Sequence, residues 1–160
     1  MRTTLAVDMV AELEPGHVAP FVAGLADRFY VDEVSVREAV KGRTSFNLFH
    51  LETMVKVDVF LPKERPFDRQ QLARRIAERV NPDSTDALWI LTAEDVILAK
   101  LDWFRMGGEA SERQWRDVLG VMKTQGDRLD VNYLLQWAEQ LRARDLLEQA
   151  LDEADIEGAR

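Results

Sequence analysis

Two short apolar segments each carry one aspartate near the middle, and this pattern limits the possible folds more than any other feature. Residues 4–11 read TLAVDMVA and include Asp8, whereas residues 54–61 read MVKVDVFL and include Asp58. Short segments of this composition are typical of buried strands. A buried carboxylate without a partner is costly. The sequence therefore predicts two strands whose aspartates each need a compensating neighbour.

The order of apolar segments predicts an α+β fold, with a small mixed sheet followed by a helical bundle. The predicted strands cover 5–12, 45–51, 54–61 and 87–91. The predicted helices cover 15–28, 32–42, 67–80, 92–105, 111–126, 131–143 and 145–154. We expect one domain over residues 1–160, with a sheet-containing part at 1–91 and a helical part at 92–155.

Several of these helices have recognisable ends. Asp32 is a predicted N-cap, as are Thr92, with Asp95 three residues on, and Ser111, with Gln114 three residues on. The 67–80 prediction depends on Leu72, Ile76 and Val80, which recur at a spacing of four residues.

Composition excludes some classes of function and leaves others open. The 160 residues carry a net charge of −8, which argues against general nucleic-acid binding through phosphate contacts. The absence of cysteine excludes a thiol nucleophile and a thiolate metal site, and it fits a cytoplasmic protein. No apolar run reaches the roughly 18 residues that would cross a bilayer. The sequence therefore predicts a cytoplasmic chain with no signal peptide and no membrane span.

Strand alternation places Ala6, Asp8 and Val10 on one face of the first strand, and Lys56, Asp58 and Phe60 on one face of the other. If the two strands are neighbours, Asp8 and Asp58 converge and repel each other. A divalent cation would remove that repulsion, and Mg²⁺ accepts a few carboxylates together with substrate phosphates. The alternative is that each aspartate pairs with a nearby arginine or lies at a strand end.

Lys100 is a third unusual residue, because it falls near the middle of the apolar stripe of the 92–105 helix. A lysine at this position must extend to solvent, pair with a carboxylate or face a cleft. Beside a carboxylate cluster, its ammonium group would suit the oxygens of a phosphate ligand.

Three stretches together resemble a known superfamily. RTTLAVDMVAEL (2–13) resembles the metal-binding strand of nucleotidyltransferase-fold proteins of the DNA polymerase β-like superfamily, and of small bacterial AbiEii-related proteins in particular. HLETMVKVDVFL (50–61) is similar to the strand that carries the third aspartate of that family. TAEDVILAKLDWFRMGGEASERQWRDVLGVM (92–122) is similar to its downstream helical block, which has a lysine in one helix and an Arg-Asp pair in the next.

The resemblance implies a role for each matching residue. Asp8 and Asp58 would be the catalytic carboxylates and would bind Mg²⁺, which in turn holds the phosphates of a nucleoside triphosphate while a hydroxyl attacks the α-phosphate. Four further residues would contact the nucleotide: Lys56, Lys100, Arg116 and Asp117.

The sequence departs from the family pattern at two places. Ala6 stands where the Asp-x-Asp motif has its leading aspartate, and no Gly-Ser dipeptide occurs that could form the family's triphosphate-binding turn. From the start at Met1 we expect the opening helix of the fold to be missing and a homodimer to cover the uncovered edge.

Three functions follow as alternatives. The first is a catalytically degenerate nucleotidyltransferase-like protein with residual nucleotide and Mg²⁺ binding. The second is an active enzyme that transfers a nucleotide to a protein or RNA acceptor. The third is a non-enzymatic protein that binds a protein partner, as in a toxin–antitoxin pair.

Overall fold

The computed structural model describes residues 6–157. The chain divides into two compact units, Met1–Arg65 and Pro66–Arg160. A mixed four-stranded sheet with helices comes first, and a mainly helical region follows it. The α+β class predicted from the sequence is therefore confirmed.

The first unit contains the mixed sheet. Its strands are β1 (Ala6–Val10), β2 (Phe29–Tyr30), β3 (Ser45–His50) and β4 (Lys56–Phe60), and its helices are α1 (Val18–Leu25), which follows a 3-10 turn at Pro15–His17, and α2 (Glu33–Gly42). The strand order is β1-β4-β3-β2, with β1 parallel to β4 and the other pairs antiparallel. The short strand β2 was not predicted.

One face of this sheet forms the core of the first unit. The buried residues of this core come from α1, α2, β3 and β4, and they include Val36, Val40, Phe46, Leu48, Val57 and Val59. Because side chains alternate along a strand, the intervening residues of β3 and β4 lie on the opposite face. Asp58 is one of these, so its carboxylate lies on the face away from this apolar core.

The second unit is mainly helical. Its elements are α3 (Pro66–Ala73), β5 (Ile76–Arg79), β6 (Ala87–Ile90), α4 (Ala93–Met106), α5 (Glu112–Gln125), α6 (Val131–Gln140) and α7 (Arg144–Glu153). Helices α4 to α7 enclose a core that includes Ile97, Leu98, Leu101, Val118, Met122, Leu134 and Leu147. None of the described helices is long and apolar enough to cross a membrane.

The three predicted helix caps are confirmed. The Asp32 carboxylate accepts a hydrogen bond from the backbone N–H of Ser35 at 3.1 Å. The Thr92 hydroxyl accepts one from the N–H of Asp95 at 3.2 Å. Ser111 does the same for Gln114 at 3.3 Å. These bonds satisfy backbone donors that have no partner within a helix, so the starts of α2, α4 and α5 are fixed locally.

The prediction of one helix over 67–80 is wrong. Helix α3 ends at Ala73, and Ile76–Arg79 pairs antiparallel with Ala87–Ile90 in a separate two-stranded sheet. Ile76 and Val80 are exposed, so the apolar stripe on which the helix prediction rested meets no core. A tight turn closes the hairpin instead: the Asn81 carbonyl accepts from Ser84 N at 3.0 Å, and the residue after Asn81 is proline, which favours turns.

Candidate functional site

The aspartates of β1 and β4 lie directly side by side. Asp8 pairs with Asp58 in the parallel register of these strands, as the sequence predicted for neighbouring strands. Adjacent strands lie about 4.8 Å apart, and paired residues share a face of the sheet. Asn47 of β3 pairs with Asp58 on its other side. The row Asp8–Asp58–Asn47 therefore crosses three strands on the face opposite the core.

Asn47 was missed in the sequence. It lies between the buried residues Phe46 and Leu48, so alternation alone places it on the polar face. Its position opposite Asp58 depends on the β3–β4 register, which one strand cannot reveal. The amide can donate to a carboxylate or offer an oxygen to a cation. The polar row therefore has one more possible ligand than the two aspartates.

Lys56 forms an ion pair with Asp58. Its Nζ lies 2.9 Å from Asp58 Oδ1, with 11 % of the Asp58 side chain exposed and 32 % of that of Lys56. The same lysine pairs across the strands with Ala6. The ammonium group therefore comes from the position facing Ala6, the residue at which the family pattern has an aspartate. The alternative for the aspartates was an arginine partner, whereas the ion pair at Asp58 is with a lysine of the same strand.

Lys100 is buried in the second unit and binds two side chains of α5. Its Nζ donates to Asp117 Oδ2 at 3.0 Å and to Gln114 Oε1 at 3.2 Å. Of the three outcomes considered for this residue, pairing with a carboxylate is the one observed. The predicted nucleotide-binding residues Lys100 and Asp117 thus contact each other.

Arg116 has a different environment from its neighbour Asp117. Its Nε donates to the Glu112 backbone carbonyl at 3.4 Å, and it lines a cavity of about 440 Å³. The cavity lies between the end of α4, the start of α5 and α7, and its apolar walls are Phe104, Trp115, Ala110 and Leu146. Its volume falls in the range of small-molecule pockets. Arg116 and Asp117 therefore have different hydrogen-bond partners.

A buried carboxylate at the start of α4 was also missed. Asp95 is completely buried and accepts hydrogen bonds from Thr92 Oγ1 at 2.8 Å and Tyr133 Oη at 2.6 Å. Arg74 Nη1 lies 3.5 Å from the same carboxylate, and its guanidinium stacks 3.8 Å from the Tyr133 ring centre. Burial, and then the bond to Asp95, raise the pKa of Tyr133 to about 12. This cluster joins α3, α4 and α6, which indicates a structural role.

The predicted site residues thus fall into two groups. Asp8, Asp58 and Lys56 belong to the first unit, and Lys100, Arg116 and Asp117 belong to the second. Within residues 6–157, no group of three or more histidine, aspartate or glutamate side chains is arranged to hold a metal ion. Asp8 and Asp58 can offer two carboxylates to Mg²⁺, and the phosphate oxygens of a substrate would supply further ligands.

Comparison with known proteins gives no match to a family model, to a curated protein or to a solved structure.

Proposed function

We propose that this chain is a nucleotidyltransferase-like protein that binds a nucleoside triphosphate with Mg²⁺ weakly and does not transfer the nucleotide. The observation that carries this proposal is the Lys56–Asp58 ion pair at 2.9 Å, formed from the strand position that faces Ala6. The parallel pairing of Asp8 with Asp58 supports the fold type, because the resemblance implies adjacent strands with converging carboxylates.

The ion pair opposes metal binding in two ways. First, the ammonium group of Lys56 compensates the charge of Asp58, so the carboxylate no longer requires a cation. Second, a fixed positive charge close to the carboxylates repels an incoming divalent ion. Ala6 contributes no ligand atom that could offset this repulsion.

Asp8 and Asp58 nevertheless fit a weak magnesium site. Mg²⁺ is commonly held by one or two carboxylates, several waters and substrate phosphates. Both aspartates lie on one face in direct register, which satisfies the carboxylate part of that requirement. Bound Mg²⁺ would neutralise phosphate charge, and Asp8 and Asp58 would hold it. The nucleotide would therefore bind with the metal rather than after it.

The second-unit residues support weak rather than tight nucleotide binding. The ammonium group of Lys100 is bonded to Asp117 and Gln114, so its charge is compensated before any phosphate arrives. Arg116 lines a cavity that is also lined by Glu109 and Glu112, whose carboxylates would repel the phosphates of a nucleotide. Contact of Lys100, Arg116 and Asp117 with a nucleotide is proposed on the resemblance alone.

A thermal-shift titration combined with a transfer assay tests this function. The ligands are the four ribonucleoside triphosphates, each with and without Mg²⁺, and the variants are wild type, Asp58→Asn and the exposed control Asp27→Asn. A ligand that binds only the native state stabilises it by RT ln(1 + [L]/Kd). We expect a small metal-dependent shift that Asp58→Asn abolishes and Asp27→Asn retains, with no nucleotide transferred to the protein or to RNA.

Two outcomes would contradict the proposal. Nucleotide transfer that Asp58→Asn abolishes would establish an active enzyme. A complete absence of shift up to millimolar nucleotide would remove the binding function and leave Asp8 and Asp58 as structural residues.

A further inference from the structure

The β5–β6 hairpin is exposed along its whole length. All four residues of β5 and all four of β6 are exposed, and among residues 6–157 no third strand pairs with either one. An isolated two-stranded hairpin is at best marginally stable in water. Its outer edges also present unpaired backbone donors and acceptors, which can pair with another strand.

The exposed side chains of the hairpin are strongly apolar. Ile76 pairs with Ile90, and Leu88 lies on the same face two residues away. Trp89 lies on the other face, with the Arg75 guanidinium 4.8 Å from its ring centre. These apolar side chains, together with Val80, are between 46 % and 65 % exposed. Exposed apolar side chains therefore lie on both faces of the hairpin, and exposed apolar patches mark interaction surfaces.

The two edges of the hairpin differ in charge. β5 ends in Glu78 and Arg79, and charged residues of this kind protect an edge strand from pairing. β6 reads ALWI and carries no charge. The unprotected edge is therefore that of β6.

We propose that β6 pairs antiparallel with β6 of a second copy of this chain, about a two-fold axis perpendicular to the sheet. Paired residues must lie on the same face of the sheet. This symmetry therefore places one residue of Ala87–Ile90 opposite the same residue of the second copy. With the axis at Leu88, Trp89 or Ile90, the neighbouring pair is apolar against apolar. A second copy fits this edge because no like charges meet along it, whereas pairing through β5 would bring charged residues into the contact.

The size of the patch sets the expected affinity. The paired strands have only four residues each, so we expect the contact to bury less than the roughly 1,200 Å² at which standard protein interfaces begin. Main-chain hydrogen bonds along the strands add to the stabilisation from apolar burial. We therefore expect a weak dimer, with a dissociation constant in the micromolar range.

The first test measures self-association of the full chain by sedimentation equilibrium. Leu88→Lys changes an exposed residue of β6, and Val34→Lys makes a comparable change on the exposed face of α2 in the first unit. Like charges across paired strands are destabilising, so we expect Leu88→Lys to weaken the dimer at least about tenfold. Val34→Lys should dimerise like wild type. A wild type that stays monomeric to several hundred micromolar would overturn the proposal.

The second test locates the contact. The chain has no cysteine, so a single introduced cysteine is the only thiol. Ala87→Cys, Leu88→Cys, Trp89→Cys and Ile90→Cys are oxidised in turn, with Val34→Cys as the control. The residue at the axis faces its own copy within disulfide distance, so we expect one maximum of cross-linked dimer within β6. Equal cross-linking at all positions, or most cross-linking in the control, would place the contact elsewhere.

Discussion

The two units each contain a lysine–carboxylate pair, but the more buried partner differs between them. In the first unit the carboxylate is more buried, with 11 % of the Asp58 side chain exposed against 32 % for Lys56. In the second unit the lysine is more buried, with 9 % of the Lys100 side chain exposed against 40 % for Asp117. The exposed partner balances part of the charge of the buried member, so removing that partner makes burial of the charge more costly.

Under the proposed function only the first-unit pair takes part in metal binding, because only there is the buried member a carboxylate. Removing Lys56 leaves Asp58 beside Asp8, and two adjacent carboxylates can bind a cation. Removing Asp117 leaves an ammonium group next to Gln114, which cannot bind a metal ion. Under the proposed function the exposed partner in the first unit thus controls metal binding, whereas the exposed partner in the second unit mainly maintains the fold.

The largest expected effect on stability comes from replacing Asp117, the exposed partner in the second-unit pair. Asp117→Asn should lower the free energy of unfolding by about 2 kcal/mol, less than for a fully buried pair because Gln114 still accepts a bond from Lys100. Lys100→Met, which removes the buried charge itself, should cost less than about 1 kcal/mol. All four tryptophans lie in the second unit, so tryptophan fluorescence during urea unfolding reports on it. A larger loss of unfolding free energy for Lys100→Met than for Asp117→Asn would contradict this account of the second-unit pair.

Asp95 tests the effect of burial without a second charge, because two of its hydrogen-bond partners are neutral hydroxyl groups. Tyr133→Phe removes a 2.6 Å hydrogen bond to a completely buried carboxylate, and we expect it to cost about 1.5 kcal/mol. Thr124→Val, which removes a hydroxyl bonded to the exposed Gly120 carbonyl, is the control and should cost less. Equal losses would mean that burial of the acceptor does not matter at this site.

The raised pKa of Tyr133 predicts that the stability of the chain changes in alkaline solution. Its pKa is raised to about 12, chiefly by burial, from an ordinary value of 10. The protonated form of Tyr133 is therefore favoured in the folded chain. The contribution of this side chain to the free energy of unfolding is complete below pH 10 and is lost as the pH rises toward 12. The difference in unfolding free energy between wild type and Tyr133→Phe should shrink over that interval. A difference that stays constant would contradict the assigned pKa.

Lys56→Met should affect stability less than Asp117→Asn and Tyr133→Phe do. The pair is partly exposed, so we expect a loss of about 1 kcal/mol, measured by circular dichroism because the first unit contains no tryptophan. Millimolar Mg²⁺ should recover part of this loss in Lys56→Met and leave wild type unchanged. Recovery of the same size in both proteins would mean that the metal acts elsewhere.

The sequence was sufficient where local chemistry decides the structure. The caps at Asp32, Thr92 and Ser111 depend on side chains within three residues. The register of Asp8 with Asp58 follows once the two valine-rich strands are neighbours, so the convergence of the carboxylates was predictable. The Lys56–Asp58 pair was also predictable from the sequence, since alternation places both residues on one face of β4.

The sequence was insufficient where distant contacts decide. Leu72, Ile76 and Val80 have helical spacing, but their burial depends on a surface to cover, and Ile76 and Val80 meet none. The turn at Asn81-Pro82 between two apolar segments was the local signal for the hairpin, and the helical spacing obscured it. Tyr133 lies 38 residues from Asp95, so no local pattern connects them.

The most direct test of the central claim measures Mn²⁺ binding by electron paramagnetic resonance, with Mn²⁺ as a probe for Mg²⁺. The proteins are wild type, Lys56→Met and the double variant Lys56→Met/Asp58→Asn. If the Lys56 ammonium takes the place of a metal ion, its removal should tighten Mn²⁺ binding at least about tenfold, since a unit charge a few ångströms from a divalent ion exceeds that difference in energy. The double variant should lose the gain. Equal binding by wild type and Lys56→Met would contradict the account.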